Sequence, residues 1–218
     1  MQNSNKYKKK LFQAAIIFST ICGSVFPLTG QNADDIEINN YEHVLINQLK
    51  TINTLQCAFV QEKTSTLVRD KYVSKGNLFY QYPNALRWEY TDPNISTFIL
   101  NGNNAVLLGK NDEKLGNEKM LKQLGEIIIS LINGNAITQE KHFQTAFYKT
   151  ENDQIQVVLT PITKRLKDYF TTIIIDNDVN SLLANEIVLY EKSGDKTIIS
   201  LKNKEINHEL SSSMFKIK

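Results

Sequence analysis

The spacing of apolar residues predicts two amphipathic helices in this chain. Between residues 36 and 52, apolar side chains recur every three or four positions, which places them on one face of a helix. These side chains are Ile38, Tyr41, Leu45, Leu49 and Ile52. A second helix is predicted over 117–133, where a broader apolar stripe follows Asn117, a residue type that favours helix starts. This stripe contains Met120, Leu121, Leu124, Ile127, Ile128, Leu131 and Ile132.

Elsewhere apolar and polar residues alternate, which is typical of β-strands. The predicted strands cover 55–61, 72–82, 85–90, 95–101, 143–149, 155–161, 169–176, 182–190 and 197–203. Their connections are mostly short and rich in Asn, Asp, Gly and Pro, so neighbouring strands are expected to be antiparallel. A sheet of about ten strands tends to curl or close. The predicted fold class is therefore α+β: an incomplete antiparallel β-barrel, a strongly curved sheet with helices covering its open side.

Length and composition indicate one sizeable domain. The chain has 218 residues, of which 41% are hydrophobic and 22% are charged, values that exclude intrinsic disorder. No repeat, low-complexity tract or linker divides residues 31–218, so we expect a single domain there. The net charge of +2 comes from four lysines among the first ten residues. The rest of the chain has a slight excess of acidic residues and no basic field for nucleic acid.

Residues 1–30 have the features of a secretory signal peptide. A Lys-rich start precedes an apolar stretch over 11–26 that is too short and too interrupted to span a bilayer comfortably. Ser24 and Gly30 are small enough for a cleavage site; an uncleaved N-terminal anchor is the alternative. Cys22 follows Ile21 instead of a small residue, which argues against lipidation. Cleavage would leave Cys57 as a single thiol, and we expect a soluble protein of the bacterial periplasm.

The candidate chemistry is sparse. His43, His142 and His208 lack further ligands at metal-binding spacing. The segment 176–180 begins like a calcium loop, but the glycine and the final glutamate of such a loop are missing, so we expect a hairpin turn. Arg87 and Glu89 are expected to pair on one strand face. The sequence therefore predicts no enzyme activity, no cofactor and no metal site.

Three short motifs follow one another in the strand region. They are Leu55-Gln56-Cys57-Ala58-Phe59-Val60-Gln61, then Ser74-Lys75-Gly76-Asn77-Leu78, then Pro83-Asn84-Ala85-Leu86-Arg87-Trp88-Glu89-Tyr90. The Asn101-Gly102 turn, the second helix and a terminal Ser213-Met214-Phe215 come after them. In this order and spacing, the motifs resemble those of the periplasmic outer-membrane lipoprotein carrier family, LolA. The resemblance covers essentially the whole chain after residue 30.

The resemblance implies a carrier without catalysis or cofactor. Such a carrier binds the acyl chains of lipoproteins in a hydrophobic cavity and ferries them from the inner to the outer membrane. The partners implied are acylated lipoproteins or other amphiphiles, an inner-membrane lipoprotein-releasing transporter and an outer-membrane receptor; the protein itself is expected to be a monomer. One departure concerns the lid latch. The family has an Arg that ties the lid helix to the barrel, whereas this position is Tyr82 here, so the latch must differ or be weaker.

The candidate ligand-binding residues are apolar positions on inward strand and helix faces. Burial of an acyl chain contributes about 0.8 kcal/mol per CH₂, so a carrier needs a dry cavity and a cover that hides it when empty. The candidates are Phe59, Leu78, Leu86, Trp88, Tyr90 and Ile99 from strands, and Leu45, Leu49, Leu121, Leu124, Ile128 and Leu131 from helices. At least half of them are expected to form ordinary core, and alternation alone does not separate core from cavity lining.

Two other functions stay open on the sequence alone. A related carrier would take another amphiphile, such as a glycolipid, an acylated pigment or a free lipid; the missing Arg and a shorter C-terminal segment than the family's carriers have favour it. The same fold could instead serve an interaction module that senses stray lipoproteins. Such a sensor normally has a tether or a second domain, and the sequence indicates neither.

Overall fold

The computed structural model describes residues 33–66, 71–138, 142–150 and 155–217. The predicted signal peptide, including Cys22, lies outside the described residues and stays a prediction. Four α-helices occur in the described part of the chain: α1 (Ala33–Lys50), α2 (Glu118–Ile132), α3 (Asn135–Thr138) and α4 (Lys164–Lys167). A 3₁₀ helix, Ser212–Phe215, lies close to the C-terminus.

The two long helices confirm the periodicity prediction. α1 buries Leu45 and Leu49, and Ile52 is buried just after its end. Its opposite face exposes Val44. α2 buries Leu121 of the predicted stripe, and it also buries Ile129, which the predicted stripe did not include. Both helices are therefore amphipathic elements that need a partner surface for their apolar faces.

Eleven strands among the described residues form a single antiparallel sheet. They are β1 (Thr54–Thr64), β2 (Lys71–Gln81), β3 (Ala85–Asp92), β4 (Ser96–Asn101), β5 (Asn104–Leu108), β6 (Lys114–Leu115), β7 (Phe143–Lys149), β8 (Ile155–Pro161), β9 (Phe170–Asn177), β10 (Ala184–Glu191) and β11 (Lys196–Ile206). The order across the sheet is β6-β5-β4-β3-β2-β1-β11-β10-β9-β8-β7.

The sheet is not closed, because β6 and β7 are its two edges and are not paired with each other. The central strand β1 pairs with β2 on one side and with β11 on the other. That pairing joins the strands before α2 to the strands after it. The predicted fold class, α+β with a curved, incomplete antiparallel barrel and covering helices, is confirmed.

The short elements are those that the pattern did not predict. β6 has two residues, and α3 and α4 have four each, so none is long enough to display a period. β5 carries a continuous apolar run instead of an alternating one. Local hydrogen bonds and packing form these pieces, including a cap in which the Thr163 hydroxyl accepts from the Leu166 N–H.

Gly76, in the second motif, is required by close packing between β1, β2 and β3. A Cβ added there would lie 1.7 Å from the Glu89 carbonyl oxygen and 2.6 Å from Cζ of Phe59. The pairing of β2 with β3 also shifts register between Lys75 and Gly76, so the chain bulges at this point. The ring of Phe59 therefore packs where any larger residue would place its side chain.

Candidate ligand-binding cavity

An apolar cavity of about 340 Å³ lies between the inner face of the sheet and the helices. This volume falls near the lower end of the range for ligand pockets, about 300–1,000 Å³. Its walls come from strands in both halves of the sheet, from α2, and from the end of α1. The strand residues of the lining are Leu55, Gln61, Leu78, Trp88, Tyr90, Phe98, Val157, Phe170, Ile173, Ile175, Asn177, Ala184, Ile187, Leu189, Ile199, Leu201 and Lys204.

Strand alternation explains why the lining is so apolar. Successive side chains of a strand point to opposite faces of the sheet, so every second residue is turned to the cavity. In β9, Ile173 and Ile175 line the cavity. Thr172, which precedes Ile173, and Ile174, which lies between the two, do not line it. The curvature of the sheet directs these rows of side chains toward a common centre.

α2 covers the cavity on the side of β4 and β5. Leu124, Ile127, Ile128, Leu131 and Ile132 of this helix line the cavity and are half-buried. Gly125 lets the helix approach the sheet closely, because a Cβ there would lie 2.8 Å from Cζ of Phe98. The helix is thus seated on the sheet by apolar packing, with its stripe turned into the cavity.

An aromatic cluster from β1 and β3 forms one wall. The ring centroids of Phe59 and Trp88 are 4.7 Å apart, and those of Phe59 and Tyr90 are 5.3 Å apart in an edge-to-face arrangement. The Tyr90 hydroxyl donates a hydrogen bond to Oε1 of Gln61 at 3.0 Å. Burial raises the pKa of Tyr90, so this phenol stays neutral at physiological pH.

The indole N–H of Trp88 is a buried donor without an acceptor among the described residues. It lies beside the Tyr90 hydroxyl but without hydrogen-bond geometry. A buried donor in this state costs about 1–3 kcal/mol, so a carbonyl or ester oxygen of a ligand would be favoured at this wall.

Eight of the predicted binding residues line the cavity, namely Leu49, Leu78, Trp88, Tyr90, Leu121, Leu124, Ile128 and Leu131. Leu45, Phe59 and Leu86 are buried in the core cluster around the cavity without lining it. These three residues hold the wall in place. The structure itself does not test ligand binding, so binding by the eight lining residues stays a prediction.

Ile99 lies on the opposite face of the sheet from the cavity. Its neighbours Phe98 and Leu100 belong to the core cluster, so alternation turns Ile99 outward. On that face, Nη1 of Arg87 donates to the Met214 carbonyl at 2.9 Å, and the Asn101 amide donates to the Phe215 carbonyl at 3.1 Å. The C-terminal 3₁₀ helix therefore covers the outer face of β3 and β4, which explains how Ile99 is buried outside the cavity.

Tyr82, the predicted latch position, lies in the turn between β2 and β3. Its side chain is 60% exposed, and its backbone N–H donates to the Asn53 carbonyl at 2.7 Å. The Arg87–Glu89 ion pair predicted from sequence is present, on the outer face. Neither contact ties α2 to the sheet. α2 is seated by the packing around Gly125 and by a hydrogen bond from Lys122 to Asn103 at 3.1 Å.

Sequence reasoning missed the residues of β9, β10 and β11 that complete the cavity. Ile173, Ile187 and Leu201 are typical core residues in an alternating strand, and nothing in the local pattern marks them as lining. Lys204 is the more instructive case, because strand alternation alone turns it outward. A register shift between β1 and β11 brings it into the lining instead.

No cluster of three His, Cys, Asp or Glu side chains that could hold a metal ion occurs among the described residues. Within the same ranges, none of the helices combines the length and apolar character needed to cross a membrane. Cys57 is buried, and burial raises the pKa of its thiol to about 12.

The fold and cavity define an open antiparallel barrel with a helical cover and an apolar interior. The family model described as outer membrane lipoprotein carrier protein LolA matches residues 50–218. The chain belongs to this family, and the resemblance seen in its motifs is confirmed. The family is one of carriers that bind lipid or lipoprotein ligands.

Several solved structures are similar to this chain at low sequence identity. A DUF1329 family protein from Desulfovibrio piger has a TM-score of 0.50 at 11% identity, covering 82% of this chain and 97% of that chain. A LolA superfamily protein from Nitrosomonas europaea has a TM-score of 0.47 at 8% identity, covering 81% and 97%. The lipoprotein LppX of Mycobacterium tuberculosis has a TM-score of 0.44 at 12% identity, covering 81% and 98%. No curated protein matches the chain.

Proposed function

We propose that this protein is a periplasmic carrier that binds the acyl chains of lipoproteins and ferries them from the inner to the outer membrane. The observation that carries the proposal is the apolar cavity enclosed by the curved sheet and α2, in a chain of the LolA family. Residues 31–218 form the carrier domain, and residues 1–30 direct export. The protein catalyses no reaction in this proposal.

The energetics of acyl chains explain why such a cavity is needed. Each CH₂ group moved from water to an apolar site contributes about 0.8 kcal/mol, so a chain of a dozen or more CH₂ groups would not cross the periplasm unprotected. The lining here is almost wholly aliphatic and aromatic, with Gln61 and Asn177 among its few polar side chains. A bound acyl chain would fill the cavity and contact the apolar side chains that line it.

α2 serves as the cover in this proposal. An empty apolar cavity left open would expose a patch that promotes aggregation, and the stripe through Leu124 and Ile128 closes it. Opening requires the helix to leave its seat against Phe98 and Leu100 around Gly125. Because the position of the family's latch Arg is the exposed Tyr82, packing holds this cover together with the hydrogen bond from Lys122 to Asn103.

Loading and unloading require partners at both membranes. The proposed donor is an inner-membrane lipoprotein-releasing transporter, and the proposed acceptor is an outer-membrane receptor. The ligand-binding residues proposed are the eight predicted positions that line the cavity. Leu45, Phe59 and Leu86 are proposed to support the wall instead of touching the ligand.

Photo-crosslinking in the native host tests this function. A benzophenone amino acid at Trp88, which lines the cavity, should capture N-terminally acylated polypeptides that mass spectrometry identifies. The same probe at Thr91, exposed on the same strand, is the matched control and should capture none. Capture of a small lipid or pigment without polypeptide would exclude lipoprotein carriage and leave the cavity as a lipid site.

Carriage of another amphiphile is the second candidate function. A specific observation favours it: one cationic side chain, Lys204, lies in the otherwise apolar lining. Normal lipoprotein sorting after deletion of the gene would favour this candidate, whereas loss of lipoproteins from the outer membrane would favour the first.

A further inference from the structure

Lys204 is the only charged side chain in the lining of the cavity, all of which lies within the described part of the chain. Charged side chains are seldom placed against an apolar interior, because desolvation of the charge is costly. Burial accordingly lowers the pKa of Lys204, although Asp178 at longer range opposes that effect. Lys204 is half-buried, so its aliphatic stem lies along the lining while its ammonium group reaches the polar groups described below.

A β-bulge turns Lys204 inward. Gln56 of β1 is paired with Glu205 of β11, and Ala58 is paired with Lys202, so two residues of β11 face Cys57 alone. The extra residue is Asn203, whose φ of 52° lies in the left-handed region that Asn tolerates. In a regular strand the residue after Lys202 would face inward and Lys204 would face solvent. The bulge reverses that alternation for the end of β11.

The partners of the Lys204 ammonium group are all uncharged. Its Nζ donates to the carbonyl of Ala184 at 3.1 Å, to the carbonyl of Leu183 at 3.4 Å, and to Oδ1 of Asn185. None of the ion pairs between described residues includes Lys204. The charge is therefore held in place without being neutralised by direct contact.

Two other ionisable groups, Asp178 and Cys57, lie near Lys204, and neither forms an ion pair with its ammonium group. The Asp178 carboxylate accepts hydrogen bonds from the backbone N–H groups of Asn180 and Ser181 and from the Ser181 hydroxyl, so it is engaged in its own turn. The Cys57 thiol, opposite the bulge, is neutral because burial raises its pKa to about 12. The side chain of Asn185 is exposed and can rotate away, which would free one donor of Lys204.

Further neutral polar groups lie at the same end of the cavity. Asn177, which also lines the cavity, is the cross-strand partner of Ala184. Its amide Nδ2 donates to the Tyr41 hydroxyl at 3.2 Å, which ties α1 to this end of the sheet. The cavity thus has a polar end formed by Lys204 and Asn177, and apolar walls elsewhere except near Gln61.

We infer that Lys204 binds an anionic group, a carboxylate or a phosphate, attached to the acyl chain that occupies the cavity. The inference rests on the second candidate function, carriage of another amphiphile, because it takes for granted that an acyl chain with a free anionic group enters the cavity. The ligand would lie with its chain between the β9 and α2 walls and its anionic group against Nζ of Lys204. An anionic acceptor there would add charge–charge attraction to hydrogen bonds whose donor, the Lys204 ammonium, is already charged.

Competition between matched amphiphiles tests the inference on the full-length protein. Nile red, a neutral dye, reports cavity occupancy, and three single-chain competitors are compared below the concentrations at which they form micelles. They are palmitate, 1-palmitoyl lysophosphatidate and the neutral 1-monopalmitoylglycerol. We expect at least one of the two anions to displace the dye at a concentration about tenfold lower than the neutral competitor. The anion that does so identifies carboxylate or phosphate as the preferred group.

Variants assign the preference to Lys204. Lys204→Met should remove the difference between anionic and neutral competitors, and Lys204→Arg should keep it. Lys202→Met, exposed on the same strand, is the matched control and should leave the preference unchanged. Thermal unfolding checks that each variant is folded. If Lys204→Met does not fold, the difference between anionic and neutral competitors on the wild-type protein tests the inference.

The two possible failures are distinguishable. Equal affinity of the wild-type protein for the anionic and neutral competitors, or a preference that persists in Lys204→Met, would overturn the role of Lys204 while the cavity remains a lipid site. Failure of both the dye and every competitor to bind would instead overturn acyl-chain binding itself, and the inference with it.

Discussion

Leu124→Glu tests most directly whether α2 covers an apolar cavity. Leu124 is half-buried and lines the cavity. Full burial of a leucine side chain contributes about 1.5–3 kcal/mol, so removing a half-buried one costs about 1 kcal/mol. A carboxyl group placed against the same lining loses its hydration, which costs about 1–3 kcal/mol more. The closed position of α2 should therefore lose about 2–4 kcal/mol of stability.

The assay is thermal unfolding together with retention of palmitate. For a domain of this size, 1 kcal/mol corresponds to roughly 2–4 °C, so the unfolding midpoint should fall by about 5–15 °C. Palmitate retention should fall at least tenfold, because the cover no longer packs on the bound chain. Lys119→Glu introduces the same side chain at an exposed position in the first turn of α2, where a carboxylate is favourable, and should change neither quantity.

Two results would refute this reasoning. If both variants lowered the midpoint and the retention equally, the apolar stripe of α2 would not face the cavity as described. If Leu124→Glu left palmitate retention unchanged while the midpoint fell, α2 would stabilise the fold without covering the ligand. Leu124→Met preserves the apolar surface and should behave as the wild type in both assays.

Three further predictions follow from other contacts. Gly76→Ala should destabilise the protein by about 3 kcal/mol or more in denaturant unfolding, because the added Cβ would lie 1.7 Å from the Glu89 carbonyl oxygen. Gly102→Asn is the control and should be tolerated, because no atom lies within 4 Å of its added Cβ. Equal losses of stability in the two variants would contradict the close packing at Gly76. Burial raises the pKa of Cys57 to about 12, so peptide mapping should find this thiol unmodified by a thiol reagent at pH 8 and modified after denaturation; rapid labelling of the native protein would contradict its burial. Arg87→Ala removes the hydrogen-bond donor to the Met214 carbonyl. Carboxypeptidase should therefore trim the C-terminal residues faster, and the free energy of unfolding should fall by about 1 kcal/mol. An unchanged rate of trimming would mean that other contacts hold the C-terminal 3₁₀ helix.

Long periodic elements are those that the sequence predicted well. The helix faces through Leu45 and Leu121, and strands such as Phe143–Lys149 and Ile155–Pro161, agree with the structure because each period is repeated several times. The family motifs also have local causes that the structure makes visible, such as the packing of Phe59 over Gly76. Elements of two to four residues left no such signal and were not predicted.

The candidate site was predictable only in part. Trp88 and Leu124 were binding candidates by alternation and by helical spacing, and both line the cavity, whereas ligand binding by them stays a prediction. Ile99 has the same apolar character as Phe98, so residue type alone did not reveal that the C-terminal 3₁₀ helix covers its face of the sheet. Lys204 required knowledge of the register between β1 and β11.

The sequence by itself determined the class of fold, the family, and the apolar character of the strand and helix faces. Periodicity is a local property, and each repeat of it adds to the same conclusion. Tertiary structure alone decided which apolar residues line the cavity and which fill the core. The division between them depends on the curvature of the sheet and on the packing of α2 against β4. Tertiary structure also decided that Lys204 faces the apolar cavity. One extra residue in β11 forms a bulge, and a bulge reverses the face of the sheet on which every later side chain of the strand lies.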